Sequence, residues 1–177
     1  MEATYKKRHD QSKKAELSKA VSERLFKLTF KYSIIPGVDW DGSFHEDKFA
    51  AWIEEVKNWA NDNDRYEVSM HTIGNGLSYA KFNASDTIEP AIMKELNAAD
   101  NDELRKGYKL GIFNQRGAHW VDPEGKPERA LAEKFRKRAE AVEHLGYSRF
   151  ADTLRSISDD YLAEAEDNAR WNEKQAD

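Results

Sequence analysis

Side chains able to do chemistry concentrate in one stretch, Gly107-Tyr108-Lys109-Leu110-Gly111-Ile112-Phe113-Asn114-Gln115-Arg116-Gly117-Ala118-His119-Trp120. It differs from its surroundings, which read as charged amphipathic helix. An arginine can hold a carboxylate or phosphate through two parallel hydrogen bonds. A tryptophan supplies the flat apolar anchor that dominates many interfaces. Asn114, Arg116, His119 and Trp120 are therefore the candidate binding residues. A purely structural reading competes, because the negative end of a helix favours Arg116 and His119 electrostatically. The stretch matches no catalytic signature, so no catalytic residue is assigned.

Other constellations are weaker. Glu67 with His71, and Glu140 with His144, stand four apart on two expected helices. Bundle metal sites place Glu and His three apart and add further inward Glu residues. Surface pairing of neighbours four apart explains both pairs, and no metal or cofactor is expected. His71, Asn75 and Arg116 would make a small polar enzyme pocket only if they converged. Gly74-Asn75-Gly76 follows no strand, which removes the context a dinucleotide fingerprint needs. Arg129, Lys134, Arg136, Lys137 and Arg138 form a basic stripe, and Lys6-Lys7-Arg8-His9 a basic N-terminal arm. Both could approach phosphates, but Glu128, Glu133 and Glu140 interleave with the stripe. No Gly-x-Ser-x-Gly elbow is present.

Composition narrows the classes. The 177 residues are 39% apolar, 11% aromatic and 34% charged, with net charge -5. This suits helices that bury one stripe and expose a wide charged face. An acidic chain is a poor whole-domain nucleic-acid binder. The absence of cysteine removes disulfides, thiol nucleophiles and thiolate metal sites. No apolar run approaches membrane-spanning length, and the charged start lacks the apolar segment of a signal peptide. A cytoplasmic, bacterial-type setting is expected.

The elements that must position these residues follow from periodicity. Leu17, Val21, Leu25, Leu28 and Tyr32 recur every three to four residues and predict a helix over 12–33. Pro36-Gly37 ends it, and Pro36 to Gly42 is the best candidate hinge. Ser43 with Glu46 reads as a capping box before a helix to about Asn61, where Trp52 and Trp59, one heptad apart, read as core. A third helix spans about 65–80, with Gly74 and Gly76 calling for a close crossing. Asp86 with Glu89, and Asp100 with Glu103, suggest two more caps, the second opening a helix through Gln115. Gly117 reads as its C-cap, and Asp122-Pro123-Glu124-Gly125 as a turn. Pro127 opens a helix to about Leu145. Ser148 starts the last, whose stripe of Phe150, Leu154, Ile157, Tyr161 and Ala165 predicts fraying beyond Ala165.

Asp64-Arg65, Gly107-Tyr108, Gly111, Asn114-Gln115-Arg116-Gly117 and Pro127-Glu128-Arg129-Ala130-Leu131-Ala132-Glu133 resemble helical modules near the C-terminus of large bacterial proteins of uncharacterised role. The resemblance spans roughly residues 45–170. It implies that the chain is a piece of a longer protein and transfers no activity. The expected architecture is all-α, an irregular bundle of about seven helices: residues 1–35 an N-terminal helix or arm, residues 43–172 the bundle. The expected function is a non-catalytic protein-interaction or scaffolding module, acting through Asn114, Arg116, His119 and Trp120 on a protein partner or on the rest of its parent. A nucleic-acid-associated module using the N-terminal arm and Arg129–Arg138 is the first alternative. An enzyme built on His71, Asn75 and Arg116 is the second.

Overall fold

Six helices account for most of the residues, 35–117 and 121–176, that a computed structural model of the chain describes. They are α1 (Glu46–Asp62), α2 (Tyr66–Leu77), α3 (Pro90–Asn97), α4 (Asp102–Arg116), α5 (Lys126–His144) and α6 (Ser148–Ala176). Among the described residues the only extended pairing is an isolated antiparallel bridge between Val38 and Phe44. The domain is thus all-α. The expected helix over 12–33, and the arm it would form, lie outside the described residues.

Two helix pairs carry most of the packing. In the first, α5 and α6 fold back on one another across the short turn Leu145–Tyr147, where Gly146 takes φ +87°. Their stripes interlock: Ala132, Phe135, Ala139 and Val142 from α5, and Phe150, Leu154, Ile157, Tyr161 and Ala165 from α6, are all buried. Each large side chain among them contributes about 1.5–3 kcal/mol.

The second pair, α2 and α4, meets backbone to backbone. A methyl group added at Gly107 would overlap the carbonyl oxygen of His71, and one at Gly74 the carbonyl oxygen of Leu104. One at Gly111 would overlap the Ser78 hydroxyl. His71 meets Gly107, Asn75 meets Gly111 and Ser78 meets Gln115, so the two helices run in the same direction. The crossing explains Gly74 but not Gly76, which has nothing within 4 Å of its missing Cβ.

Side chains lock these pairs together. Arg105 donates to the carbonyls of Leu96 (3.1 Å) and Ala98 (2.6 Å), closing the end of α3. The Asn97 carboxamide oxygen then accepts from the Arg149 amide at 2.8 Å. An N-terminal donor of α6 is therefore satisfied from a different helix. Lys109 reaches Asp160 at 2.7 Å and Ser156 at 2.8 Å, tying α4 to α6.

The structure corrects several expectations. None of the three proposed side-chain caps forms. Ser43 is held in a turn, its amide donating to Asp41 Oδ1 at 2.9 Å and its carbonyl accepting from the Asp39 amide, so α1 starts at Glu46 itself. Asp86 sits at φ +57° in a turn organised by Asn83, and α3 opens on Pro90. Before α4 the N-cap position belongs to Asn101, whose amide donates to the Glu95 carbonyl at 2.8 Å instead of capping. Trp59 is 55% exposed and Trp52 only half-buried, because Phe49, Ile53 and Ala60 centre the buried stripe of α1. Finally, α6 does not end near Ala165: it stays helical through Ala176, supported by good helix formers and the Asp167–Arg170 pair.

Candidate functional site

The C-terminal half of α4 emerges from the glycine crossing as one wall of a groove. Helical spacing brings Ile112, Gln115 and Arg116 to that wall. Gln115 Nε2 donates to Ser78 Oγ at 2.6 Å, and Ser78 Oγ donates to the Asn75 carbonyl at 2.6 Å. This chain fixes the segment Ser78–Phe82, which leaves α2 and lines the groove beside α4. The other wall is α5, where Leu131, Lys134, Phe135 and Arg138 repeat at three and four residues. Tyr161 of α6 lies between the walls, stacked on Phe135 at 5.9 Å. The cavity is about 530 Å³, within the size range of ligand-binding clefts.

Its electrostatics are one-sided. Lys81, Arg116, Lys134 and Arg138 line it, and no carboxylate, imidazole or thiol is among the described lining residues. The two arginines stand in different surroundings. Arg116, 14% exposed, donates to both Glu164 oxygens at 2.9 and 2.8 Å and makes a short contact with Glu128. Glu128 is fully buried in the first turn of α5. The Arg116 guanidinium also lies 5.5 Å from the Tyr161 ring. Arg138, 13% exposed, lies 3.7 Å from the centroid of Phe82 and 5.2 Å from that of Phe135. Its Nε is buried without a hydrogen bond, and its nearest carboxylate, Asp86, is 3.6 Å away. Burial holds its pKa below the usual arginine value. The buried Tyr108 hydroxyl likewise has no hydrogen-bond partner, and burial raises its pKa.

The residues singled out from the sequence scatter. Asn114 is exposed beside the groove, its carbonyl accepting from the Gly117 amide at 3.3 Å. Arg116 turns inward onto its two carboxylates rather than outward to solvent. His119 and Trp120 lie outside the described residues. His71 faces Glu103 at 3.6 Å, at the opposite end of α4 from Arg116. Thirteen residues of helix separate Glu103 from Arg116, about 20 Å. His71 and Arg116 therefore do not meet in one pocket. His144 Nδ1 lies 2.7 Å from the Glu140 carbonyl, and no cluster of His, Asp or Glu suited to a metal occurs among the described residues. No described helix is long and apolar enough to cross a membrane.

No protein-family model matches the chain, and neither the curated proteins nor the solved structures contain a match to it. The site must be read from its own chemistry. On the basic stripe, Arg136 is taken by Glu133 at 2.8 Å and by Glu140, and Lys137 stands 3.8 Å from Glu133. Lys134 and Arg138 alone turn from it into the groove. Sequence reasoning missed Tyr79, Lys81 and Phe82, which lie in an irregular segment with no periodicity. Arg138 was legible in principle: it stands three residues after Phe135 and seven after Leu131, on the inward stripe of α5.

Proposed function

We propose that this domain is a non-catalytic protein-interaction module, a helical part of a larger bacterial protein, that takes a partner segment into the groove between α4 and α5. The observation that carries the reading is a cleft of about 530 Å³ whose charged lining is entirely cationic, on a chain of net charge -5. Binding rather than catalysis is supported by the lining itself. Acid–base chemistry draws on groups that exchange protons near neutrality, and lysine and arginine are poor ones. The Ser78 hydroxyl is committed to Asn75 and Gln115. Exposed tryptophans elsewhere, Trp40 at 99% and Trp171 at 67%, are anchors of the kind interfaces use.

The test inverts two exposed charges without touching the core. Lys81→Glu combined with Lys134→Glu is expected to lose the protein that cross-links to the unaltered domain, at an unchanged melting temperature. Retention of that protein by the double variant sinks the reading.

A further inference from the structure

We infer that the Arg138 end of the groove is a carboxylate receptor, and that the partner it recognises is an acidic peptide segment with apolar side chains between its carboxylates. The inference rests on the groove being the interaction surface and adds what the groove selects.

A cation removed from water normally finds an anion or a full set of hydrogen-bond acceptors, because its desolvation is otherwise uncompensated. Arg116 shows how this fold meets that requirement, with Glu128 and Glu164. Arg138 is as enclosed as Arg116, yet its buried Nε makes no hydrogen bond and its carboxylate neighbour, Asp86, stands off at 3.6 Å. Phe82 supports it: the guanidinium carbon sits over the ring, 3.7 Å from its centroid, a contact that uses the π-face and leaves N–H donors for an acceptor. Two further cations share the lining. Lys134 is one turn before Arg138 on α5, and Lys81 adjoins Phe82. Neither has a carboxylate partner among the described residues. Three positive groups along one cleft, with Asp86 at 3.6 Å from Arg138 as their one carboxylate partner among the described residues, call for more than one negative charge on the ligand.

The walls define the rest of the ligand. Phe82, Phe135, Leu131 and Ile112 line the groove together with the cations. A fully polar polyanion would leave these surfaces unused, whereas a segment alternating carboxylate and apolar residues matches both. The guanidinium fork fits a carboxylate through two parallel hydrogen bonds, which an ammonium cannot reproduce.

The probe is a fluorescein-labelled pentapeptide alternating glutamate with phenylalanine and leucine, and its counterpart with glutamine replacing glutamate. Fluorescence anisotropy with the full chain measures both, beside a labelled oligothymidine. The glutamate peptide is expected to bind at least about tenfold more tightly than the glutamine peptide. That preference is expected to shrink as salt rises. Arg138→Met is expected to abolish the preference, and Arg138→Lys to restore it only in part. Lys81→Ala with Lys134→Ala, both at exposed positions, is expected to reduce it several-fold even if Arg138→Met fails to fold. Equal binding of the two peptides overturns the carboxylate inference; if that binding still disappears in Lys81→Glu/Lys134→Glu, the groove remains the interaction surface. Absence of binding by either peptide, or binding that no groove variant alters, overturns both. Tighter binding of oligothymidine than of the glutamate peptide overturns the inference in favour of a nucleic-acid partner.

Discussion

Arg116 and Arg138 line one groove from two helices, at nearly the same depth, and the fold treats them differently. Arg116 joins the end of α4 to the first turn of α5 and to α6 through Glu128 and Glu164. Arg138 rests on Phe82 with its Nε unbonded and Asp86 at 3.6 Å. An arginine saturated by carboxylates from its own chain holds helices together and has little left for a ligand. An arginine enclosed by rings stays charged and keeps donors for something else. Burial alone does not separate a structural cation from a recognition cation; the inventory of acceptors around it does.

The sharpest way to break this contrast is to remove each guanidinium in turn. Arg116→Met takes the cation away from a fully buried carboxylate, and is expected to cost about 3 kcal/mol in urea unfolding. Arg138→Met replaces a cation paired only with the half-exposed Asp86, at 3.6 Å, by an apolar chain of similar length, and is expected to shift stability by about 1 kcal/mol or less in either direction. Equal losses from the two would show that Arg138 is structural after all.

A second pair of substitutions tests the frame that sets the groove's first wall. Gly107→Ala pushes a methyl into the His71 carbonyl and is expected to destabilise by about 1–3 kcal/mol despite better helix propensity. Gly76→Ala meets nothing within 4 Å and is expected to stabilise by about 0.5–1 kcal/mol. Thermal melting of both variants checks the sign of each.

The smallest effect concerns exposed pairs, which contrast with the buried one. Lys106 hydrogen bonds hold Asp102 and Glu103 below their usual carboxylate values, and the Lys48 hydrogen bond does the same for Asp39. A carboxylate whose pKa is lower when folded than when unfolded adds stability above its unfolded pKa and loses it as pH falls through the folded one. A modest drop in melting temperature is therefore expected below about pH 4. Because these groups are exposed, added salt should flatten it. A salt-independent drop would point to buried carboxylates instead.

Much of the helical frame was legible in the sequence. The stripe from Phe150 to Ala165 is buried as its spacing demands, and Gly117 ends α4, although at φ +59° and ψ -161° rather than in the left-handed helical conformation expected of such a cap. The starts at Pro127 and Ser148 were legible, but the three side-chain caps were not, because capping depends on the backbone entering the helix. At Ser43 that backbone is dictated by the Val38–Phe44 bridge, and at Asn101 by the end of α3. Trp59 misled because a heptad spacing fixes a helix face without fixing which part of that face the neighbours cover. The groove was hidden for a different reason. Arg116 reads as a surface donor until Glu164, forty-eight residues away, is brought to it. Phe82, which supports Arg138, sits where no period exists to mark it.

The contact between α2 and α4 has a mechanical consequence. At Gly74 and Gly107 the two helices touch through peptide groups, and at those points there is no compressible layer and no rotamer to adjust. Sliding one helix past the other would drive carbonyls into alpha carbons, so that rim of the cleft keeps its width whether occupied or vacant. A visitor finds a mouth already shaped, and the entropy of adapting falls on the visitor.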